Sequence, residues 1–189
     1  MRHKYETRGI VLSRTPVGEA SSFITLITPE LGLVRVLAQS VRKPGAKLAA
    51  ALATFVESSV VLVHGRDGWR LAGAVFEESW FARLRDADAH KRAGRVSGLL
   101  LRLVAGEAQD TALFPIVKGF LEALAELPPE NHEDIEILAA LRILSALGLD
   151  TGEPSDDTSA FTPDVLATIA KDRTGYVSRI NRGIEASGL

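Results

Sequence analysis

Short runs of apolar and β-branched residues, whose side chains would alternate between the two faces of a strand, recur along the first 80 residues between turn sequences and predict β-strands. Five such segments are predicted, at 5–14, 23–28, 33–38, 56–64 and 69–76. Pro-Glu-Leu-Gly joins the second segment to the third, and Gly-Arg-Asp-Gly joins the fourth to the fifth. Both are turn sequences, so each pair of segments is expected to form a hairpin.

The segment 33–55, LVRVLAQSVRKPGAKLAAALATF, connects the third strand to the fourth. After the strand it becomes polar and basic, turns at Pro44-Gly45, and is rich in Ala and Leu from Lys47 onward. Because Ala and Leu favour helix, a short helix is predicted from Lys47 to about Phe55. The order of three strands, one helix and two strands matches the five-stranded OB barrel, which we predict for residues 1–80.

Beyond Ser79 the apolar residues recur every three or four positions, which predicts helices. The first predicted helix is capped by Asp86 or Asp88 and runs to Val104. The others are predicted at 111–127, at 133–147, from 162–164 onward and at 176–186, with the acidic segment 150–160 as a surface loop. The predicted fold class is therefore α+β, with an N-terminal OB barrel followed by an all-helical domain at 81–189.

Most catalytic chemistry is excluded by what the sequence lacks. It has no cysteine, and its four histidines are scattered without the spacing of metal ligands. No phosphate-binding loop, dinucleotide-binding glycine motif or nucleophile elbow occurs. We therefore predict a binding protein rather than an enzyme, with no metal and no cofactor.

Charge is unevenly distributed, although the net charge is only −2. Residues 1–80 hold ten Lys and Arg against seven Asp and Glu, so they carry +3 and the remainder carries −5. OB barrels often bind single-stranded nucleic acid through backbone charges and aromatic stacking. An anionic partner is therefore predicted for the first half, with an ordinary solvated surface as the alternative.

The candidate DNA-binding cations lie in the segment 33–55 and on the adjoining strands and loops. They are Arg14, Arg35, Arg42, Lys43, Lys47, Arg66 and Arg70. Tyr5 and Trp69 are available for stacking on bases, with a core role equally open for Trp69. Phe23, Phe55 and Phe76 are expected in the core.

Several short motifs occur in a fixed order along the chain. They are Thr7-Arg8-Gly9-Ile10-Val11-Leu12, Gly18-Glu19-Ala20, Leu26-Ile27-Thr28-Pro29-Glu30-Leu31-Gly32, Val34-Arg35-Val36-Leu37-Ala38, Val41-Arg42-Lys43, Trp69-Arg70-Leu71 and, later, Leu141-Arg142-Ile143-Leu144 before Leu147-Gly148. Their ordered combination resembles the RecO family of DNA-repair recombination mediators. The resemblance is good over residues 5–80 and only at the level of pattern beyond them.

This resemblance implies binding of single- and double-stranded DNA, annealing of complementary strands, and loading of the RecA recombinase together with RecR and SSB. It also implies a bacterial, cytoplasmic, nucleoid-associated protein. No run of about 18 apolar residues and no apolar signal-peptide core occur, so no membrane association is expected. The alternative is an OB-fold protein-interaction adaptor without direct DNA binding. A hydrolase is disfavoured because no nucleophile–base pair can be named.

The sequence departs from the family pattern in several places. Ser40 stands where the family usually has Gly, Ala46 near a usual Ser, and Thr54 where Pro is usual. Many members carry a four-cysteine zinc module after the Leu-Gly pair, and this chain has the acidic segment 150–160 there instead. The resemblance therefore implies a short member of the family without zinc.

The resemblance also implies an apolar groove in the helical half that receives the acidic C-terminal tail of SSB. The candidate partner-binding residues are Lys91, Arg95 and Arg102. Their offsets of four and seven can place them on one helix face. A plain solvated face is the alternative.

Overall fold

The computed structural model of the chain describes residues 3–42, 48–104, 106–150, 152 and 160–188. The chain divides into two compact units. One comprises Met1–Ala82 with Gly106–Thr111, and the other comprises Arg83–Ala105 with Ala112–Leu189. The first is built on a five-stranded sheet and the second on helices, so the fold class is α+β.

Five strands make up most of the first unit, and all five were predicted from the sequence. They are β1 (His3–Val17), β2 (Ser21–Thr28), β3 (Gly32–Ala38), β4 (Val56–Gly65) and β5 (Gly68–Ser79). The strands join in the order β1-β2-β3-β5-β4, and β4 returns to the first half of β1, which closes the sheet into a barrel. The two predicted hairpins are confirmed by the antiparallel pairing of β2 with β3 and of β4 with β5.

Alternation along each strand places one row of apolar side chains inside the barrel. The buried cluster is made of Val11, Ile24, Leu26, Val34, Val36, Ala38, Val41, Leu52, Val60 and Leu62. Burying a side chain of this kind contributes about 1.5–3 kcal/mol, so this cluster supplies the main drive for closing the sheet. The intervening side chains point away from this cluster, and they include the exposed Arg35 and Arg70 as well as the fully buried Ile10, Ile27 and Leu33.

The short helix predicted from Lys47 to Phe55 is wrong over the part that the structure describes, 48–55, where the chain forms successive turns. The N–H of Phe55 donates to the carbonyl of Val11 at 2.8 Å, and Phe55 itself has φ 60°, a value incompatible with a continuing α-helix. Leu52 is fully buried in the barrel cluster. Tertiary packing therefore overrides the helical preference of Ala and Leu.

Most described residues after Ser79 lie in helices, and the five predicted helices are confirmed to within a few residues as α2 to α6. They are α1 (Trp80–Arg83), α2 (Ala87–Leu103), α3 (Leu113–Glu126), α4 (His132–Ala146), α5 (Pro163–Lys171) and α6 (Arg173–Ala186), with a 3-10 turn at Pro129–Asn131. Asp86 caps α2 by accepting a hydrogen bond from the N–H of Ala89 at 2.8 Å. Gly148, with φ 71°, follows α4 as expected. The segment 150–160 lies largely outside the described residues.

Residues 106–111, here called the strap, belong to the barrel unit although the chain reaches them only after α2. On the side of β3 away from β2, β5 pairs with Val36 and Leu37. The strap pairs with the same edge of β3 at Leu33. The N–H of Leu33 donates to the carbonyl of Ala108 at 2.8 Å, and the N–H of Ala108 donates to the carbonyl of Leu33 at 3.0 Å. The strap therefore acts as a short extra strand on the edge of β3.

Candidate functional site

Strand register places one belt of side chains on the outside of the barrel. The belt runs through Lys4, Val63, Arg70, Leu37, Phe23 and Thr15, each the register partner of the next. Following these partners once around the barrel leads from Lys4 of β1 to Thr15 of the same strand, rather than back to Lys4. The strands are therefore strongly inclined to the barrel axis. Arg70 of β5 is thereby brought beside Leu37 of β3, two residues along the strand from Arg35.

Arg35 lies on the outer face of β3, between two inward-facing valines, and is exposed. Its guanidinium lies over the ring of Phe23, with 4.1 Å between Cζ and the ring centroid. A cation on an aromatic face keeps its charge and its planar donors, which match phosphate oxygens. The prediction of a core position for Phe23 is wrong, because Ile24 and Leu26 take the inward positions of β2 and leave Phe23 half-buried on the outer face.

The two other phenylalanines expected in the core have different outcomes. Phe55 is buried, as predicted. Phe76 is 51% exposed, so the prediction for it is wrong. Phe76 lies near the end of β5, where the pairing with β4 shifts register between Glu57 and Ser58, and its side chain is left at the surface.

Arg14 and Arg42 come together near the turn that joins β1 to β2. The Nη1 of Arg42 donates to the carbonyl of Gly18 at 2.9 Å, and its backbone N–H donates to the carbonyl of Ala20 at 3.0 Å. The Nη2 of Arg14 donates to the carbonyl of Val41 at 3.3 Å. Because these acceptors are neutral, they hold the two guanidinium groups in place without cancelling their charge.

Arg66 and Arg70 lie at the hairpin between β4 and β5. The Nη2 of Arg70 pairs with the Oδ2 of Asp67 at 3.1 Å, and both side chains are well exposed. An exposed pair of this kind contributes only about 0–1 kcal/mol, so a phosphate can replace the carboxylate at little cost. Arg66 is exposed within the turn itself.

Trp69 helps to close one end of the barrel. It is the register partner of the inward-facing Val36 and packs partly against the barrel core. The rings of Tyr5 and His64 meet it edge to face, with centroid distances of 5.2 and 4.7 Å. Since Trp69 is half-buried and Tyr5 is 40% exposed, this cluster combines a packing role with an accessible aromatic surface.

The described DNA-binding candidates therefore form two groups on the barrel. Arg14 and Arg42 lie by the turn between β1 and β2, and the outer face of β3 with the hairpin between β4 and β5 holds Arg35, Arg66 and Arg70. Lys43 and Lys47 lie outside the described residues. We call the five described arginines, Arg14, Arg35, Arg42, Arg66 and Arg70, the arginine set.

A groove in the helical unit is a second candidate site. It lies between α2, α4 and α6 and has a volume of about 480 Å³. Its apolar lining includes Val96, Leu99, Ile137, Val177, Ile180 and Ile184. Its charged lining consists of Arg92, Arg95, Arg102, Glu133 and Glu136. The volume and the apolar floor suit a short peptide or a few side chains of a partner.

The structure brings two of the three predicted partner-binding residues to this groove. Arg95 and Arg102 line it, whereas Lys91 is exposed but is not part of the lining. Lys91 precedes Arg92 by one position, which places it about 100° away around the helix. Arg92 was not among the predicted site residues. The sequence did indicate it, because Arg92 stands three residues before Arg95 and four before Val96, spacings that place residues on the same face of a helix.

The groove arginines are held by carboxylates of the same unit. Glu136 bonds to both Arg92 and Arg95, and Asp88 bonds to Arg92 from one turn earlier on α2. The hydrogen bond with Glu136 raises the pKa of Arg95 above its ordinary value. Burial lowers the pKa of Arg92, but its bonds with Asp88 and Glu136 outweigh burial and raise it overall. Both side chains are therefore fixed as cations.

In the part of the chain that the structure describes, no helix is both long enough and apolar enough to cross a membrane. Within the same ranges, no three side chains of the His, Asp and Glu types gather as ligands for a metal ion.

Comparison with known proteins gives a match over the barrel. Residues 1–74 match the family model described as recombination protein O N terminal. The DNA repair protein RecO of Dehalococcoides mccartyi is 31% identical over 122 residues, which are 65% of this chain and 48% of that protein. Proteins of the same name from Acaryochloris marina and Heliobacterium modesticaldum are 41% identical over 80 residues and 29% identical over 174 residues.

These matches cover the relatives only in part. The Acaryochloris marina match covers 42% of this chain and 27% of that protein, and the Heliobacterium modesticaldum match covers 85% and 62%. The chain thus spans about half the length, or less, of the first curated relatives that it matches.

Proposed function

Because the chain belongs to the RecO family of DNA repair proteins through its N-terminal domain, we propose that it is a recombination mediator in DNA repair. The observation that carries this proposal is the arginine set on a closed five-stranded barrel. We assign that barrel to the OB fold, supported by the strand order and the return of β4 to β1. The bacterial cytoplasm, at the nucleoid, is the location that goes with this role.

The proposed activity is binding of single- and double-stranded DNA and annealing of complementary strands. The arginine set neutralises phosphates on the outer face of β3 and at the two turns beside it. Neutralised strands repel each other less, so complementary bases meet more often. No bond to DNA is made or broken, and the protein acts by charge and by stacking at Tyr5 and Trp69.

We expect a labelled single-stranded oligonucleotide to bind with a strong dependence on salt. If four to five phosphates are contacted, the slope of log affinity against log salt should be about −3 for a single strand. Fluorescence anisotropy over a salt series measures this slope, and a duplex of the same length gives the comparison. Absence of binding at low salt would contradict direct DNA binding.

We further propose that the groove of the helical unit receives the acidic C-terminal tail of SSB. Apolar side chains form its floor, and the three arginines of the lining outnumber its two glutamates, so the net positive charge of the lining complements an acidic peptide. Recognition of acidic motifs by clusters of arginines and capture of a C-terminal carboxylate are recurrent modes of peptide recognition. Cooperation with RecR and loading of RecA are proposed from the family alone.

Replacing Arg102 with Gln is expected to weaken binding of an SSB tail peptide about three- to fivefold, since a rim charge contributes up to about 1 kcal/mol. Anisotropy of the labelled peptide measures this change. Lys91→Gln is the matched control, because it removes the same charge from the same helix outside the groove. Equal losses in both variants would mean that general attraction, rather than the groove, holds the peptide.

A second candidate function is a protein-interaction adaptor whose barrel binds protein. The exposed Val75 and Phe76 near the end of β5, 65% and 51% accessible, favour this alternative. Barrel binding that persists at high salt and needs no DNA would support the adaptor. Binding that is lost at modest salt supports the mediator.

A further inference from the structure

The inner part of the groove already contains a bound carboxylate, and it comes from the protein itself. The Nε and Nη2 of Arg95 donate to the two carboxylate oxygens of Glu136 at 2.6 and 2.7 Å. The Nη1 of Arg92 donates to the Oε2 of the same carboxylate at 2.6 Å. Two parallel N–H···O bonds from one guanidinium are what arginine offers to any carboxylate.

This arrangement occupies the place where the polar end of a ligand would be needed. The side chains of Arg92 and Glu136 are only 18% and 20% exposed, and both line the groove beside the apolar floor. Arg92 would not be left without a partner if Glu136 moved, because Asp88 contacts its Nε at 2.5 Å. The Nε and Nη2 donors of Arg95, here called its fork, therefore form a carboxylate site whose occupant can be exchanged.

We propose that Glu136 holds this carboxylate site in the free protein and is displaced when an acidic peptide with an apolar last residue binds. The inference rests on the proposed role of the groove as a peptide site. The free terminal carboxylate of the peptide takes the fork of Arg95, and the apolar last side chain enters between Leu99 and Ile137. Arg102 at the rim attracts the acidic residues that precede it.

The internal carboxylate makes the groove selective. A ligand with a carboxylate alone only replaces one ion pair with another and gains little. A ligand with an apolar side chain alone gains the floor but no charge pairing. A peptide that carries both gains the apolar burial in addition to the exchanged ion pair. A nucleic-acid phosphate meets the charge of Glu136 and has no apolar group for the floor, so the groove rejects it.

The test compares Glu136→Gln with Glu133→Gln. Glu133 lies on the same helix and lines the same groove, but its ion pair is with Arg173 at 3.5 Å rather than with the groove arginines. Each variant removes one negative charge. We expect Glu136→Gln to bind a labelled acidic peptide with a free terminal carboxylate about three- to tenfold more tightly, and Glu133→Gln less than about twofold. For the C-terminally amidated peptide, the two variants should differ little.

The binding results distinguish a failure of the Glu136 exchange from a failure of the peptide site itself. If the wild type binds the peptide and Glu136→Gln binds it more weakly, Glu136 positions the arginines and the inference is overturned. Equal tightening in both variants overturns it as well, because general charge would explain it. If neither the wild type nor either variant binds the peptide, the peptide site itself fails, and the inference fails with it.

A measurement on the wild type covers the case in which Glu136→Gln does not fold. The Nε–H resonance of Arg95 in a ¹H–¹⁵N spectrum should move when the free-carboxylate peptide saturates the groove. The amidated peptide should leave that resonance in place. An unmoved resonance at saturation with the free-carboxylate peptide overturns the exchange.

Discussion

Replacing both Arg35 and Arg70 with alanine is expected to weaken binding of a single-stranded oligonucleotide about 25-fold at 0.1 M salt. For a single strand, each lost phosphate contact makes the slope of log affinity against log salt about 0.7 less steep. If affinity at 1 M salt is unchanged, the loss of two contacts lowers log affinity at 0.1 M salt by about 1.4. The slope should fall from about −3 to about −1.6. Anisotropy across a salt series measures both quantities.

The double variant is informative because strand register brings the two arginines to neighbouring strands. Arg70 is adjacent to Leu37 of β3, and both arginines are exposed, so their loss should leave the barrel folded. Arg8→Gln is the control, since Arg8 is an exposed cation of the same barrel whose register partner is Ser59 of β4. If Arg8→Gln lowers log affinity by half as much as the double variant does, net charge alone governs binding.

Gly32→Ala is expected to reduce the free energy of unfolding by about 3–4 kcal/mol. Gly32 has φ 65°, where a side chain costs about 1–2 kcal/mol. A Cβ there would lie 2.2 Å from the carbonyl oxygen of Ala108. The strap would have to move, which puts its two hydrogen bonds to Leu33 at risk, each contributing about 1 kcal/mol. Urea unfolding followed by tryptophan fluorescence measures the change.

Gly18→Ala separates the two contributions. Gly18 has φ 56°, close to that of Gly32, but a Cβ there would meet nothing within 4 Å. This variant should therefore show the backbone cost of about 1–2 kcal/mol alone. If Gly32→Ala costs no more than Gly18→Ala, the close approach of the strap does not contribute to stability.

The strands and the hairpins could be predicted because local signals determine them. Alternation places Val34, Val36 and Ala38 on one face, and the turn residues between β2 and β3 leave only a hairpin. The 48–55 segment could not be predicted in this way. Its composition favours helix, whereas its conformation depends on the burial of Leu52 in a barrel made by distant strands.

Ser40 has a backbone conformation that the RecO-like pattern indicates and that its own identity does not. It has φ 57°, a conformation that glycine adopts without strain and that serine rarely adopts. The RecO-like pattern has glycine at this place, and nothing in the identity of Ser40 indicates a left-handed residue. The backbone conformation implied by the pattern is therefore present although the glycine is not.

The individual residues of the candidate sites could be predicted from the sequence, but which of them lie close together could not. Arg35 and Arg70 could be named from the sequence, but their proximity depends on the parallel pairing of β3 with β5, which no local signal encodes. The groove depends on three helices, so its apolar floor and the bonds of Glu136 to Arg92 and Arg95 arise only when those helices pack.

The strap also affects the order in which the chain can complete its fold during synthesis. All five strands precede Ala108 in the chain and leave the ribosome before Ala108 does, so the nascent barrel has an open edge on β3 at Leu33. N-terminal domains generally begin to fold first during synthesis, and an open strand edge can pair with another chain. The barrel is thus exposed to mispairing until the segment that follows α2 has emerged and occupied that edge.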